Sequence, residues 1–147
     1  MATEMQRLRG DVSEYLLAGN ATVTVRSSVT GKRYTYKLKQ SKDNEMLYFI
    51  HLLRGQNNEE DYRYIGCYYK DTCVFHPCKT WRYAQYADWP SSLKAIEYTL
   101  KNMHKIPDKL LVYHEGKCCR CGRKLTTPES IMTGIGPECR RLNYGQL

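Results

Sequence analysis

The chain is poor in acidic residues and has no long hydrophobic run. Its 147 residues contain 15 Asp and Glu against 23 Lys and Arg, which gives a net charge of +8. No stretch approaches the roughly 18 apolar residues of a membrane span, and the N-terminus lacks the charged-then-apolar pattern of a signal peptide. We therefore expect a folded protein of the cytoplasm that does not bind membranes.

A recognisable catalytic set is also missing from the sequence. No serine stands in a nucleophile-elbow context, and no pair of carboxylates marks an acid–base site. The glycine pair Gly134 and Gly136 is too short for a phosphate-binding loop. We therefore expect a protein that is not an enzyme. An enzymatic alternative would require a metal site with a coordination position open to solvent.

The surplus of positive charge is concentrated in two segments. Residues 26–42 contain no Asp or Glu, and residues 117–141 contain only Glu129 and Glu138, whereas acidic residues gather at 43–45 and 59–61. Such basic segments favour an anionic partner, either nucleic acid or an acidic protein surface. The simpler interpretation is a basic protein whose charge serves only solubility. The basic residues of the two segments are Arg26, Lys32, Arg33, Lys37, Lys39 and Lys42, and then Lys117, Arg120, Arg123, Lys124, Arg140 and Arg141.

Hydrophobic periodicity predicts several strands and one good helix. The helix begins at Trp89-Pro90, because proline suits the first helical position, and Pro107 prevents its continuation. Residues 1–10 carry no pattern. The fold class is therefore α+β, with an antiparallel sheet whose apolar face is covered by the amphipathic helix. The predicted strands are 21–28, 33–39, 46–53 (favoured over a short helix), 62–69, 72–75 and 110–113, and one or two helical turns are predicted over 11–17.

The clearest strand alternates between apolar and basic side chains. Residues 33–39 put Tyr34, Tyr36 and Leu38 on one face and their basic neighbours on the other. The alternation also predicts that Tyr62, Tyr64 and Tyr68 share one face of their strand. Tyrosines beside Lys and Arg are typical of proteins that stack single-stranded bases. Tyr34 and Tyr36, however, share the face of Leu38, so we favour a place in the core for them.

The C-terminal cysteines predict a zinc site. Cys118 and Cys121 form a Cys-x-x-Cys pair, and Cys139 follows at a distance typical of zinc-site loops. His114 lies just ahead of the pair and is the preferred fourth ligand. Cys119, a remote His or Cys, or a water molecule are the alternatives for that position. A closed site of three cysteines and one histidine is structural and stabilises the fold.

Other roles for the cysteines are open. The Cys-x-x-Cys pair fits a redox motif poorly, because no βαβ pattern surrounds it, and plain buried thiols are the remaining alternative. A second metal site at Cys73, His76 and Cys78, with Cys67 nearby, has an uncommon spacing, so we favour ordinary thiols there.

The C-terminal motif resembles a family of uncharacterised bacterial and bacteriophage proteins. The resemblance covers about residues 110–142 and implies zinc binding and a bacterial or phage origin, with the host cytoplasm as the location of a phage protein. It implies no activity. The matching positions are His114, Cys118, Cys121, Gly122, Leu125, Pro128, Glu129, Ser130, Gly134, Gly136, Pro137 and Cys139.

These observations together predict an α+β domain over residues 1–110 and a zinc-binding module over 111–147, packed as one unit. We expect a non-enzymatic protein that binds DNA or RNA through its basic surface. The alternative is a protein-interaction module that meets an acidic host protein and inhibits a host enzyme or defence complex. The predicted nucleic-acid-binding residues are Arg33, Lys37, Lys39, Arg120, Arg123, Lys124, Arg140 and Arg141, and the predicted metal ligands are His114, Cys118, Cys121 and Cys139.

Overall fold

The computed structural model of the chain describes residues 6–54, 62–78 and 89–114. Within them, alternating sequences form strands and the Pro90-led segment forms the main helix, as the periodicity predicts. The elements in chain order are β1 (Gln6–Leu8), α1 (Ser13–Leu16), β2 (Asn20–Ser27), β3 (Arg33–Gln40), β4 (Leu47–Leu53), β5 (Tyr62–Tyr69), β6 (Val74–Pro77), α2 (Trp89–Lys101) and β7 (Leu110–His114).

The strands form one antiparallel sheet in the order β1-β7-β2-β3-β4-β5-β6. This confirms the predicted α+β class. Strand β1 was not predicted, because three residues without alternation acquire strand geometry only through their pairing with β7. Strand β6 begins at Val74 rather than at the predicted Thr72. None of the helices in the described segments is long and apolar enough to cross a membrane.

Both helices cover one side of the sheet, which we call the core face. Ile96, Leu100 and Met103 of the predicted apolar stripe are buried there, and Leu93 packs at its margin. Buried tyrosine hydroxyls need hydrogen-bond partners, and one of them reaches the backbone of α2. The Tyr36 hydroxyl donates to the Ser92 carbonyl at 2.7 Å. The core face is thus fastened to α2 by hydrogen bonding as well as by apolar packing.

A β-bulge interrupts the pairing of β4 with β5. Ile50 pairs with Gly66 and His51 pairs with Tyr64, so Ile65 is an extra residue on β5. The insertion reverses the alternation beyond it. Tyr68 is therefore buried in the core with 1% of its surface exposed, whereas Tyr64 is 36% exposed on the opposite side. The prediction that Tyr68 shares a face with Tyr62 and Tyr64 is wrong for this reason.

Strand β7 lies inside the sheet, between β1 and β2. Val112 pairs with Leu8 on one side and with Val25 on the other. The predicted domain boundary at residues 110 and 111 falls within this strand. The predicted zinc-binding module spans residues 111–147, and its residues 115–147 lie outside the described residues. The division into two units therefore stays a prediction.

Substitution of Gly66 by alanine should destabilise the sheet next to the bulge. A Cβ at this position would lie 2.5 Å from the His76 carbonyl oxygen and 2.9 Å from Pro77 Cα, and backbone atoms yield little. We expect Gly66→Ala to lower the free energy of unfolding in urea by about 1–3 kcal/mol. Cys67→Ala, one residue along the strand, adds no atoms and serves as the control. A loss no larger than that of the control would contradict the close approach of β5 and β6.

Candidate nucleic-acid interface

The three predicted cations of β3 lie on the side of the sheet away from the helices. This side, the outer face, carries Arg33, Lys37 and Lys39, while Tyr36 and Leu38 between them are fully buried on the core face. Arg33 and Lys39 are exposed and Lys37 is half-buried. The structure therefore brings together the β3 part of the predicted binding surface, as the alternation requires.

A row of side chains crosses the outer face through Lys37. Lys37 on β3 pairs with His51 on β4, which pairs with Tyr64 on β5. The His51 and Tyr64 rings meet edge to face with their centroids 5.6 Å apart. The Lys37 ammonium also lies 4.4 Å from the centre of the Tyr62 ring, within the range of a cation–π interaction. A cation on β3 and aromatic rings on β4 and β5 are thus in contact on one side of the sheet.

A second, parallel row runs through Lys39. Lys39 pairs with Phe49 on β4, and Phe49 pairs with Cys67 on β5. The Phe49 ring packs edge to face against Tyr64, with centroids 6.2 Å apart, and joins the two rows into one aromatic cluster. The cluster of Phe49, His51, Tyr62 and Tyr64 lies beside Lys37 and Lys39. Such a surface offers ring faces to bases and ammonium groups to phosphates.

The charge of the sheet has a single sign. None of the seven strands in the described residues contains an Asp or a Glu. Acidic neighbours within the strands would neutralise the lysines locally, so among the described strand residues every charged side chain of the outer face is basic. At the end of the β2–β3 pair, Arg26 even lies opposite Arg33. The basic residues that share the outer face are Arg7, Arg26, Arg33, Lys37 and Lys39.

The environment of the outer face shifts two side-chain pKa values. Burial, and then the charges of Lys37 and Lys39, lower the pKa of His51 below its usual 6.5, so the ring is neutral at physiological pH. Burial, and then the Cys67 thiol, raise the pKa of Tyr64 to about 12. Both rings are therefore uncharged at neutral pH, and the charge of the described strand residues on this face comes from lysines and arginines.

His114, the predicted fourth zinc ligand, lies at the end of β7 on the core face. Its side chain is fully buried, with its ring centroid 5.7 Å from that of Tyr15 on α1. It shares the core face of β7 with Leu110 and Val112, opposite the β3 cations. Burial suits a zinc ligand, because zinc binds the neutral imidazole, and it equally suits a histidine of the core.

The other predicted site residues lie outside the described residues. These are the ligands Cys118, Cys121 and Cys139, and the basic residues Arg120, Arg123, Lys124, Arg140 and Arg141. Among the described residues, no group of three or more His, Cys, Asp or Glu side chains is arranged to hold a metal. A second site at Cys73, His76 and Cys78 is therefore not formed there.

Sequence reasoning missed the contribution of β4 to the outer face. Phe49 and His51 were not singled out, because residues 46–53 form an apolar run in which the outward positions are as hydrophobic as the inward ones. The signal that could have identified them is the alternation of side chains along paired strands. Once the run is a strand that pairs with β3, the side chains opposite Lys37 and Lys39 must face the same way.

Protonation of His51 should weaken the fold at acid pH. Because its pKa in the folded state lies below 6.5, the unfolded chain takes up this proton first, so stability present above about pH 6.5 is lost as the pH falls. We expect wild type to lose up to about 1 kcal/mol more than His51→Gln between pH 7.5 and 5.5 in urea unfolding. His76→Gln removes a histidine from the exposed strand β6 and serves as the control. An identical loss in wild type and His51→Gln would contradict the lowered pKa.

Comparison with known proteins gives one match, at the C-terminal end. Residues 111–144 match the model of a family of unknown function (DUF6011), over about a quarter of the chain. The match begins within β7 and includes His114, Cys118, Cys121 and Cys139. No curated protein and no solved structure matches the chain. In its C-terminal segment, the chain is therefore similar to an uncharacterised family.

Proposed function

We propose that this protein is a non-enzymatic, zinc-containing nucleic-acid-binding protein of bacterial or phage origin. The observation that carries the proposal is the outer face of the sheet, where the cations of β3 lie beside aromatic rings of β4 and β5 and the described strands contain no acidic residue. A single strand of DNA or RNA is the partner that uses both components, because its bases are free to stack while its phosphates pair with ammonium and guanidinium groups.

The geometry favours base stacking on the aromatic rings that β5 contributes to the cluster. Tyr64 is the most exposed aromatic residue of the outer-face cluster, and its ring makes edge-to-face contacts with Phe49 and His51. A ring that is already fixed loses little conformational freedom when a base stacks on it. Arg33 and Lys39, the two exposed cations of β3, lie near opposite ends of the strand on the same face, where each can contact a phosphate group.

In this proposal, zinc has a structural role. His114, Cys118, Cys121 and Cys139 would hold the ion, which supplies cross-linking of the C-terminal segment and no reaction. His114 would couple the ion to the sheet, since its strand pairs with both β1 and β2. The basic residues between and after the cysteines would then be held in fixed positions, from which they can add phosphate contacts.

Removal of the exposed β3 cations should weaken binding in a salt-dependent way. Each lost phosphate contact lowers the slope of log affinity against log salt by about 0.7 for a single strand, so Arg33→Gln with Lys39→Gln should lower it by about 1.4 for an oligothymidylate probe. The matched control, Lys94→Gln with Lys105→Gln, removes the same charge from the α2 side and should leave the slope unchanged.

Stacking gives the same assay a second readout. Tyr64→Ala should lose about 1–3 kcal/mol of affinity if a base stacks on it, whereas Tyr98→Ala on α2 should lose none. Equal effects of the two double variants, together with no effect of Tyr64→Ala, would show attraction by net charge alone and would contradict a binding face.

Zinc should be stoichiometric and should depend on the predicted cysteines. Elemental analysis of tag-free protein is expected to give about one zinc ion per chain. Cys121→Ser should lose the metal and lower the melting temperature, while Cys119→Ser, which changes a neighbouring thiol outside the predicted set, should retain it. Metal-free wild type, or loss of zinc in both variants, would contradict the proposed ligands.

A further inference from the structure

A groove lies on the helix side of the sheet, away from the outer face. It has a volume of about 530 Å³ and lies between α2, the turn that joins β2 to β3, and the start of β7. Its walls are mostly apolar, formed by Val25, Tyr34, Ala95 and Leu110 together with Val29 in the turn. Volumes of several hundred Å³ are typical of sites that take a ligand or a few side chains of a partner.

Exposed apolar side chains cluster at this groove. Val29 is 77% exposed and Tyr98 is 37% exposed, and both line it. They are two of the four large hydrophobic residues that the described part of the chain exposes, the others being Tyr64 and Val74. Exposed hydrophobic side chains at the rim of an apolar depression mark a surface that gains free energy when a partner covers it.

The groove is charged with one sign. Lys32, Lys94 and Lys109 line it, and none of its lining residues in the described part of the chain is acidic. The Lys109 ammonium lies 5.5 Å from the centre of the Tyr98 ring, which places positive charge at the rim beside an exposed aromatic group. The complementary ligand therefore combines negative charge at its ends with an apolar centre.

The turn that forms one wall is fixed before any partner arrives. The Ser27 hydroxyl oxygen accepts hydrogen bonds from the Val29 and Thr30 amides, both at 3.2 Å. The Ser28 amide and hydroxyl both donate to the Lys109 carbonyl, at 2.9 and 3.1 Å. The turn is thus tied to the start of β7, and a partner binds without ordering it.

We propose that this groove docks an acidic peptide segment of a partner protein, with a large apolar side chain inserted between α2 and the β2–β3 turn. The aliphatic walls favour a peptide over a nucleic acid. Val25, Val29, Ala95 and Leu110 line the groove, and these side chains pack against an apolar side chain but offer no ring face to a base.

The site is independent of the outer face. Val25 and Tyr34 belong to the core face of β2 and β3, and the cations of the groove are different residues from those of the outer face. Loss of nucleic-acid binding at the outer face therefore leaves peptide binding at the groove in place, and the reverse also holds. Either proposal can fail without the other.

The test uses the full-length protein and a labelled peptide with leucine and phenylalanine at its centre and aspartate and glutamate on both sides. We expect saturable binding and amide chemical-shift changes at Thr30, Ser91 and Tyr98. A peptide with glycine in place of the apolar pair should bind at least about fivefold more weakly. Val29→Asp and Lys94→Glu, both at exposed positions, should each weaken the acidic peptide by a similar factor.

Matched controls are Val74→Asp and Lys105→Glu, which make the same changes away from the groove and should leave peptide affinity unchanged. Three results would overturn the proposal: no shift changes at the groove with the wild-type protein, equal binding of the glycine peptide, or shifts at the same amides with oligothymidylate instead of the peptide. The chemical-shift changes of the wild-type protein test the proposal even if a variant fails to fold.

Discussion

The alternation of side chains along β3 is the constraint on which the rest of the structure depends. β3 occupies the middle of the sheet, paired with β2 on one side and β4 on the other. Tyr36 and Leu38 must point to the helices, and this forces Lys37 and Lys39 to the opposite side. A slip of one residue would bury two ammonium groups and expose the core, so the register is strongly specified.

Tyrosines of this sheet lie on both of its faces, and the bulge at Ile65 places Tyr64 and Tyr68 on opposite ones. On the core face, Tyr36 and Tyr48 donate hydrogen bonds to the backbone carbonyls of Ser92 and Leu17. On the outer face, Tyr64 packs its ring against those of Phe49 and His51 and keeps part of its surface in solvent. One inserted residue separates Tyr64 from Tyr68 and thereby adds an aromatic group to the outer face.

Local sequence patterns predicted most strands and the main helix, whereas the composition of the outer face depends on pairing between strands that are distant in the sequence. The β3 strand and the apolar stripe of α2 follow from periodicity within a few residues, and both were predicted. The placement of β7 between β1 and β2 depends on contacts between distant parts of the chain, such as Ser28 with Lys109, which are 81 residues apart. The bulge depends on how β4 and β5 pair. The alignment of Phe49 and His51 with the β3 lysines therefore became visible only in the structure, and the same holds for the groove beside α2.

The central claim is that nucleic acid binds the outer face of the sheet, and the tyrosine ring resonances test it most directly. Three tyrosines on the outer face of β5 and three on the core face of β3, β4 and β5 provide reporters for the two sides of the sheet. We predict that an oligothymidylate shifts the outer rings and leaves the core rings in place, and equal shifts in both sets, or shifts in neither, would contradict the claim. The outer set is Tyr62, Tyr64 and Tyr69, and the core set is Tyr36, Tyr48 and Tyr68.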